Sequence, residues 1–372
     1  MHILITGGAG FIGSFLSEHL LSLGHSVTIL DNLDPQVHPS CHPGYLPADV
    51  PLLVKDIRDR EALQEATQDA DAVIHCAAAV GVARSLYRVH HYVDVNVSGT
   101  ALLLELLAAR PRPLRKLLLL TSMTGYGEGL YRRPGDHALL RVGIRSEAQV
   151  KEKGWEPVCL QTNQALEPVP TPEDAALLAR NVYALTKRYQ EELALSLGEV
   201  YGFPVTCLRL FNVYGPRQSL SNPYTGVLAI FLSRLLNGRA PLIYEDGQQT
   251  RDFVSVHDVV AAATAALASP AADGQVINIG NGIPRRIVDC ALVLADLLGR
   301  PDIKPEISGR FRKGDIRHCT ADISKAKRVL GFQPRVRWED GLAELIAWAR
   351  LTSAQDHFQH AEDELRQRGL IS

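Results

Sequence analysis

The stretch that decides the fold of this chain is Thr6-Gly7-Gly8-Ala9-Gly10-Phe11-Ile12-Gly13. It follows the apolar run Ile3–Thr6, which predicts a buried strand, and it opens the helical pattern Phe11–Leu23. The spacing Gly-x-x-Gly-x-x-Gly gives a tight turn, a close backbone approach to a pyrophosphate and close packing of helix on strand. A strand before and a helix after the glycines are the context that this motif requires. The sequence therefore predicts a dinucleotide site contacted by Gly7, Gly10, Phe11, Ile12 and Gly13.

The composition is that of a globular protein and excludes several other classes. The 372 residues are 46% hydrophobic, and 39 basic against 41 acidic residues give a net charge of 39 − 41 = −2. A chain this close to neutral, with no block of Lys or Arg, predicts no nucleic-acid partner. The apolar runs fall far short of the ~20 residues of a membrane span. No basic segment precedes the first strand, so we expect neither a membrane anchor nor a secretory signal.

The cysteines favour a reducing compartment. They are scattered without CxxC spacing, which predicts neither a metal site nor a disulfide framework. We therefore expect reduced thiols in a cytoplasmic protein. The six cysteines are Cys41, Cys76, Cys159, Cys207, Cys290 and Cys319.

Short apolar runs alternate with longer helical patterns over the first two hundred residues. The apolar runs do not alternate with polar residues, as is typical of strands buried on both faces. This order predicts an α/β fold, a Rossmann-type doubly wound parallel sheet with a smaller C-terminal α/β substrate lobe. The predicted strands are Ile3–Thr6, Val27–Leu30, Ala72–His75, Leu117–Thr121 and Val205–Leu210, and the predicted helices are Phe11–Leu23, Arg60–Thr67, Val95–Ala109 and Val182–Tyr201.

The pattern loosens after Asn212, which predicts a second lobe. We expect residues 1–211 to form the first lobe, with 252–279 returning to it. Residues 212–251 and 280–350 would form the substrate lobe, and 351–372 a helical tail. Residues 129–171 are rich in Pro, Gly and charge without a clear period, and such a long stretch indicates either a functional lid or a disordered excursion.

An acidic residue ends the second predicted strand. Asp31 can accept hydrogen bonds from an adenosine ribose and would repel a 2′-phosphate, which favours NAD over NADP. The alternative makes Asp31 a turn residue before Asn32. The glycine loop upstream favours the cofactor interpretation, and we expect Asn32 to contact the cofactor as well.

A tyrosine and a lysine at i and i+4 supply a candidate catalytic pair. Tyr183 and Lys187 begin a helix and share one face of it. An ammonium group beside a phenol favours the phenolate and lowers its pKa. Ser122 follows a buried strand, at the sheet edge where ligands bind, and its hydroxyl could share the proton of Tyr183. The alternatives are a surface Tyr/Lys pair and a turn serine.

These residues together resemble the extended short-chain dehydrogenase/reductases, and more narrowly the nucleotide-sugar epimerases and dehydratases. The resemblance runs from Met1 to about Trp348, with the motifs in the family's order. It implies that Asp56 and Ile57 contact adenine, and that a homodimer forms through the predicted helices Val95–Ala109 and Val182–Tyr201. It also adds the segment Ala77, Ala78 and Ala79 and the residue Asn96 to the cofactor site.

The resemblance extends to the substrate lobe. It implies that Asn212, Arg251 and Arg312 hold a nucleotide diphosphate, and two arginine forks suit that group. The family's R-P-G-D appears here as Arg312-Lys313-Gly314-Asp315, with Lys in place of Pro. The substrate contacts that it implies are Ser122, Met123, Thr124, Asn212, Arg217, Val227, Tyr244, Arg251, Arg312 and Asp315.

The residues after Ser122 bear on the reaction. The family's dehydratases carry an Asp-Glu pair there, whereas Met123 and Thr124 cannot supply a general acid and base at neutral pH. Thr124 also argues against the decarboxylating members, which usually carry glutamate. The resemblance then implies 4-epimerisation by transient oxidation at C4, rotation of the 4-keto sugar and re-reduction. Two stretches, Met123–Tyr131 and Gln218–Val227, resemble the members that act on dTDP-L-rhamnose.

Three alternatives stay open. An epimerase of UDP- or GDP-hexoses and a 4-ketosugar reductase would both use the same site. A non-catalytic, NAD-binding regulatory protein is a different class. Such proteins often lack one member of the Tyr/Lys pair, and this chain has both Tyr183 and Lys187.

Overall fold

The computed structural model describes residues 1–38, 43–178, 180–224 and 226–371. Cys41 lies outside the described residues, as does Ser372 at the end of the predicted tail. The five described cysteines carry free thiols.

The chain alternates strands and helices, as the sequence predicts. Short 3-10 helices lie at Met123–Tyr126 and Pro270–Ala272, and a π-helical stretch at Val93–Ser98. The strands are β1 His2–Thr6, β2 Ser26–Asp31, β3 Leu52–Val54, β4 Ala72–His75, β5 Lys116–Ser122, β6 Leu130–Arg132, β7 Leu139–Arg141, β8 Glu167–Val169, β9 Val205–Leu210, β10 Asn212–Tyr214, β11 Leu242–Ile243, β12 Thr250–Ser255, β13 Gln275–Ile279, β14 Pro284–Arg286, β15 Glu306–Ile307 and β16 His318–Cys319. The α-helices are α1 Phe11–Ser22, α2 Arg60–Gln68, α3 Val82–Ser85, α4 Val89–Tyr92, α5 Gly99–Ala108, α6 Glu147–Lys153, α7 Val182–Tyr201, α8 Val227–Leu236, α9 Val256–Ala268, α10 Ile287–Leu297, α11 Ser324–Leu330, α12 Trp338–Arg350 and α13 Phe358–Gln367.

Seven of the described strands form one parallel sheet in the order β13-β9-β5-β4-β1-β2-β3. Helices α1, α9 and α11 pack on one face, and α2, α5 and α7 on the other. Every residue of β4 and β9 is buried, which explains their mainly apolar sequences; His75, Thr206 and Arg209 are the polar residues among them. The predicted Rossmann-type fold is confirmed. The strand order reverses between β1 and β4, and ligands bind at such a switch point.

Smaller sheets and a second hydrophobic cluster follow β9. Strand β12 pairs with β10 and β16 in parallel and with β14 antiparallel, and β11 pairs with β15. Helices α8, α10 and α12 pack together around Leu232, Leu294 and Leu342. Strand β13 returns to the edge of the large sheet beside β9.

Residues 129–171, the predicted insert, contain regular secondary structure. Strands β7, β6 and β8 make an antiparallel sheet, and α6 follows β7. The side chain of Arg145, which has no exposed surface, reaches out of the insert to ion-pair with Glu128 and Glu245 at 3.1 and 2.8 Å. The sequence left a lid or a disordered excursion open, and it did not indicate this anchoring because the partners are distant along the chain.

Arg317 extends the same buried ionic cluster. Its side chain is 1% exposed and pairs with Glu245 at 2.9 Å and with Asp246 at 2.6 Å. It also donates to Glu156 of the insert at 2.5 Å. The cluster therefore joins the insert to the loops after β11 and before β16.

Candidate active site

A cavity of about 400 Å³ lies at the carboxyl end of the parallel strands. It brings together most of the predicted cofactor residues and all three predicted catalytic residues. The predicted residues that line it are Gly7, Gly10, Phe11, Ile12, Gly13, Asp31, Asn32, Ile57, Ala77, Ala78, Ala79, Ser122, Tyr183 and Lys187.

The glycine loop has the close contacts that its spacing predicts. Gly7 has φ +69°, and a Cβ there would lie 2.7 Å from the backbone nitrogen of Ala77. A Cβ on Gly13 would lie 2.3 Å from the carbonyl oxygen of Gly7. Gly10 caps α1 without a side chain, and a Cβ there would contact only that same carbonyl oxygen, at 3.3 Å. No side chain caps the first turn of α1, and its residues Gly10 to Gly13 line the cavity, so this cradle fits the pyrophosphate of NAD.

Replacing Gly13 with alanine should disrupt this cradle. The added methyl group would overlap the carbonyl of Gly7 at 2.3 Å, so α1 must move away from β1. We expect Gly13→Ala to weaken NAD binding at least about tenfold, which corresponds to about 1.4 kcal/mol. Calorimetric titration with NAD measures this. Gly143→Ala is the control, because nothing lies within 4 Å of a Cβ at that position. Equal NAD affinity in both variants would contradict the prediction.

The position of Asp31 is compatible with both interpretations that the sequence left open, a cofactor contact and a turn residue. Its carboxylate lines the cavity, and it also accepts hydrogen bonds from Ala9 N at 3.0 Å and Leu33 N at 2.9 Å. His38 Nε2 lies 4.0 Å from it. Burial lowers the pKa of His38, and the negative charge of Asp31 opposes that shift. The carboxylate thus ties the glycine loop to the end of β2 and presents negative charge to the cavity.

Asp31→Asn should relax the preference for NAD over NADP. The amide keeps the size of the side chain but removes the charge that would repel a 2′-phosphate. We expect the ratio of the two dissociation constants to fall by about tenfold, which is about 1.4 kcal/mol. Parallel titrations with NAD and NADP measure the ratio. An unchanged ratio would place the ribose contact elsewhere.

Two predicted cofactor residues lie behind the cavity. Asp56 accepts from Arg58 Nε at 2.7 Å and from Asn32 Nδ2 at 3.0 Å, and the bonds from Arg58 lower its pKa to about 2 although burial opposes them. Asn96, in the π-helical stretch, accepts from Ala79 N at 2.7 Å and donates to Ala79 O at 3.0 Å. Neither lines the cavity. The structure therefore places them as residues that fix the lining segments.

The catalytic candidates meet at the end of β5 and the start of α7. Asn181 caps α7 by accepting from Ala184 N at 2.9 Å, which fixes the first turn that carries Tyr183. Tyr183 and Ser122 both line the cavity, and the Ser122 side chain interacts with the Tyr183 hydroxyl. Lys187 Nζ, one turn further along, donates to Leu120 O at 3.0 Å. A proton donor and acceptor pair and a cation therefore border the same cavity.

The electrostatics of the pair differ from the sequence prediction. Burial raises the pKa of Tyr183 to about 12, and the Ser122 side chain opposes this rise. Burial lowers the pKa of Lys187 to about 8, with the neighbouring Cys76 acting in the opposite direction. Desolvation is the larger effect at both groups, so the expected lowering of the tyrosine pKa by Lys187 is not what this arrangement shows.

The two residues after Ser122 are not equivalent. Met123 is 4% exposed and packs in a hydrophobic cluster with Tyr126 and Phe211, outside the cavity. Its role as a substrate contact stays a prediction, and the structure places it away from the cavity lining. Thr124 Oγ1 donates a hydrogen bond to Ser122 Oγ at 3.0 Å, and this bond orients the Ser122 side chain.

Three substrate predictions concern the start of the second lobe. Among the described residues, Asn212 Oδ1 is buried without a hydrogen-bond partner. Arg217 pairs with Glu18 at 2.8 Å, and its guanidinium lies 4.2 Å from the ring of Phe15. The structure thus turns Arg217 away from the cavity and against α1. Val227 begins α8 and packs in the second hydrophobic cluster.

The remaining substrate predictions form a separate group outside the cavity. Arg312 makes two bonds to Asp315, at 2.9 and 2.8 Å, and its guanidinium lies 5.3 Å from the centre of the Tyr244 ring. Arg251 donates to the carbonyl oxygens of Ile316, at 2.7 Å, and Arg317, at 3.0 Å. We call Tyr244, Arg251, Arg312 and Asp315 the arginine group. The sequence predicted these residues together with the cavity residues, and the structure sets them apart.

Several cavity residues were not predicted. The loop after β2 meets the loop after β10, where Gln36 Nε2 donates to Asn222 Oδ1 at 3.0 Å. The resemblance of Gln218–Val227 marked the second loop, but no sequence signal marked the first. The cavity residues missed by the sequence analysis include Gln36, His38, Arg84, His91, Tyr92, Gln218, Ser219, Asn222 and Tyr224.

Neither a metal site nor a membrane-spanning helix is found in the described part of the chain. No group of three or more His, Cys, Asp or Glu side chains there has the arrangement of a metal site. Of the helices in residues 1–38, 43–178, 180–224 and 226–371, none combines the length and apolar character needed to cross a membrane.

The chain is similar to characterised proteins over almost its whole length. It is 36% identical over 354 residues to the dTDP-L-rhamnose 4-epimerase of Burkholderia thailandensis, covering 93% of this chain and 94% of the relative. It superposes on the UDP-glucose 4-epimerase of Thermotoga maritima, solved with UDP-glucose, with a TM-score of 0.76 and 30% identity over 94% of this chain and 99% of that one. The Thermus thermophilus UDP-glucose 4-epimerase in complex with NAD gives a TM-score of 0.74 and 28% identity, covering 95% and 100% of the two chains.

The family assignment follows from a match over most of the chain. The profile described as the NAD dependent epimerase/dehydratase family matches residues 3–143 and 160–280. The predictions of an enzyme and of NAD as its cofactor are confirmed by this match and by the NAD complex of the Thermus relative. On its fold, its glycine cradle and these similarities, the chain belongs to the NAD dependent epimerase/dehydratase family.

Proposed function

We propose that this protein is a nucleotide-sugar 4-epimerase that acts on a dTDP-linked 6-deoxyhexose such as dTDP-L-rhamnose. The observation that carries the proposal is the arrangement at the end of β5, where Ser122, Tyr183 and Lys187 line one cavity and Met123 packs in a hydrophobic cluster outside it. The similarity to the Burkholderia enzyme supports the choice of sugar.

The residues around the cavity suit proton transfer at a sugar hydroxyl. Bound NAD supplies a hydride acceptor that can return the hydride. Tyr183 would take the proton from the C4 hydroxyl and later give it back to the oxygen. Ser122 would hold that oxygen, and Thr124 orients Ser122 by donating to its hydroxyl. Lys187 would place positive charge beside the tyrosine and contact the cofactor ribose.

The residues at positions 123 and 124 disfavour elimination of water. It needs an acid and a base near the carbon adjacent to the oxidised one. The Met123 thioether cannot transfer a proton and lies outside the cavity, and Thr124 is a neutral hydroxyl bonded to Ser122. The proposed chemistry is therefore oxidation and re-reduction at one carbon, without net redox change.

The arginine group would hold the nucleotide diphosphate. The negative charge of Asp315 interacts with both Arg312 and Arg251, which keeps the two guanidinium groups near each other. Asn212 would add an amide donor from the end nearer the cavity. With the diphosphate fixed there, the sugar would be left free to turn within the cavity.

The experiment that tests the proposal is proton NMR of the purified protein with a panel of nucleotide sugars and no added cofactor. Inversion at C4 of dTDP-L-rhamnose without net formation of reduced cofactor supports the proposal. Inversion of only UDP- or GDP-hexoses would keep the reaction and change the substrate. A keto or reduced product would indicate a ketosugar reductase, and no conversion with NAD bound would favour a regulatory protein.

A homodimer through α4, the π-helical stretch and α7 is part of the proposal. Val89, Val93, Leu185 and Tyr189 on these elements are 47%, 41%, 36% and 53% exposed. Apolar side chains exposed on neighbouring helices suit a protein interface. By contrast α5, also predicted at the interface, buries Leu103, Leu104 and Leu107 within the chain.

The division into lobes and the cytoplasmic location also remain proposals. The separate core clusters support the division, and the free thiols support the location.

A further inference from the structure

The end of the chain lies against the loop that carries Arg312. Residue Ile371 forms an antiparallel bridge with Arg312. Lys313 N donates to Leu370 O at 3.2 Å, and Lys313 Nζ donates to Gly369 O at 3.0 Å. We call α13 together with residues 368–371 the C-terminal segment. Its backbone is thereby fixed to the arginine group.

The same segment is attached to the cavity side by one carboxylate. Glu364 Oε2 accepts hydrogen bonds from Tyr87 OH at 2.8 Å and from Tyr224 OH at 3.0 Å, and the two hydroxyls are 2.8 Å apart. Tyr224 lines the cavity, and Tyr87 follows α3 of the first lobe. Hydrogen bonds to an ionised carboxylate are stronger than those between neutral groups, so Glu364 is the centre of this contact.

Apolar packing continues the connection between the two parts of the site. Leu365 and Ile371 are buried in one cluster with Ala83, Tyr224 and Tyr244. Ala83 belongs to the first lobe, Tyr224 to the cavity and Tyr244 to the arginine group. The C-terminal segment therefore fills the space between the cavity and the residues proposed to hold the diphosphate.

We propose that the C-terminal segment is a wall of the nucleotide-sugar site, and that Glu364 is a positioning residue that holds Tyr224 at the edge of the cavity. This inference rests on the proposed function. An epimerase must let the oxidised sugar turn without losing it, and a closed wall retains such an intermediate. The segment spans both lobes, so it closes the site where the sugar meets the diphosphate.

Glu364→Ala tests the inference. Loss of the acceptor leaves two tyrosine hydroxyls without their carboxylate and loosens the segment. We expect KM for the nucleotide sugar to rise about tenfold, with a smaller change in kcat. Each 4-keto sugar that escapes has left its hydride with the cofactor and its proton with the protein, so reduced nicotinamide accumulates one for one. Its absorbance during turnover measures escape, and a simple loss of stability would not produce it.

Matched variants separate position from charge. Asp363→Ala removes the same charge from the neighbouring position of α13, where the carboxylate accepts from Gln359 at 3.0 Å and from no other described residue. We expect it to behave as wild type. Glu364→Gln keeps an acceptor oxygen, so its KM should lie much closer to the wild-type value than that of Glu364→Ala. If Glu364→Ala matches Asp363→Ala in KM and in reduced-cofactor absorbance, the inference is overturned.

A second measurement uses the wild-type protein and needs no turnover. Arg366 and Arg368 are 50% and 47% exposed on their side chains and offer cleavage sites to trypsin. With NAD present, thymidine diphosphate or uridine diphosphate should slow cleavage there, followed by mass spectrometry. No protection by either nucleotide would overturn the inference. If wild type inverts no sugar but the nucleotides protect, the proposed reaction fails while the wall stands.

Discussion

Tyr183→Phe should reduce turnover by about 10²–10⁴-fold, the range that general acid–base catalysis contributes, while NAD stays bound. The variant keeps the half-buried ring and removes the hydroxyl beside Ser122 at the cavity. The glycine cradle and Asp31 are unchanged, so the cofactor site is intact. Single-turnover measurement of C4 inversion, with the bound cofactor quantified in the same sample, gives both results.

A matched control separates this effect from a general response to losing a tyrosine hydroxyl. Tyr189 lies on the same helix and is 53% exposed, so Tyr189→Phe should turn over as wild type does. Near-normal activity of Tyr183→Phe would remove Tyr183 as the base. Loss of activity together with loss of NAD would instead indicate a damaged cofactor site.

Arg317→Met should lower the free energy of unfolding by about 3–5 kcal/mol, which is the second large effect that we expect. This is the range observed when one partner of a buried ion pair is removed. The Arg317 side chain is 1% exposed, and Glu245, at 3% exposure, would keep Arg145 alone as its cation among the residues that the structure describes. Denaturant titration followed by tryptophan fluorescence measures the loss. Trp155 lies beside the cluster, since its carbonyl accepts from Arg145 at 2.8 Å.

Two further variants test the cause of that loss. Arg132→Met removes a pair within the same insert whose partners are 43% and 51% exposed, so it should cost about 1 kcal/mol or less. Adding Asp246→Asn to Arg317→Met removes one of the unpaired charges and should restore part of the stability. Equal losses for Arg317→Met and Arg132→Met would show that burial of the cluster contributes little.

The parts of the molecule that could be predicted from sequence depend on short spacings. The glycine loop and the first turn of α7 are each encoded within eight residues. In the structure, each lies on the secondary-structure element that the sequence predicted for it. The strand Ala72–His75 has the predicted bounds because continuous apolar character marks a strand buried on both faces. Local sequence patterns are therefore sufficient to predict the doubly wound fold.

The rest depends on contacts between distant parts of the chain. Arg217 adopts φ +67° and stacks on Phe15, some two hundred residues away, which no local pattern indicates. Arg145 finds its partner Glu245 one hundred residues on, so the insert could not be recognised as anchored. The C-terminal segment likewise takes its place through Arg312 and Tyr224.

The burial of Lys187 determines which residues selection for folding and selection for turnover favour at position 187. Its pKa falls from 10.5 to about 8 in the folded protein and returns to the ordinary value on unfolding. Between these values the unfolded chain binds more protons, so stability rises with pH there, and at neutral pH the full cost is present. A library selected only for folding should replace Lys187 with an apolar residue such as methionine. A library selected for turnover should retain it, because foldability and chemistry favour opposite residues at this one position.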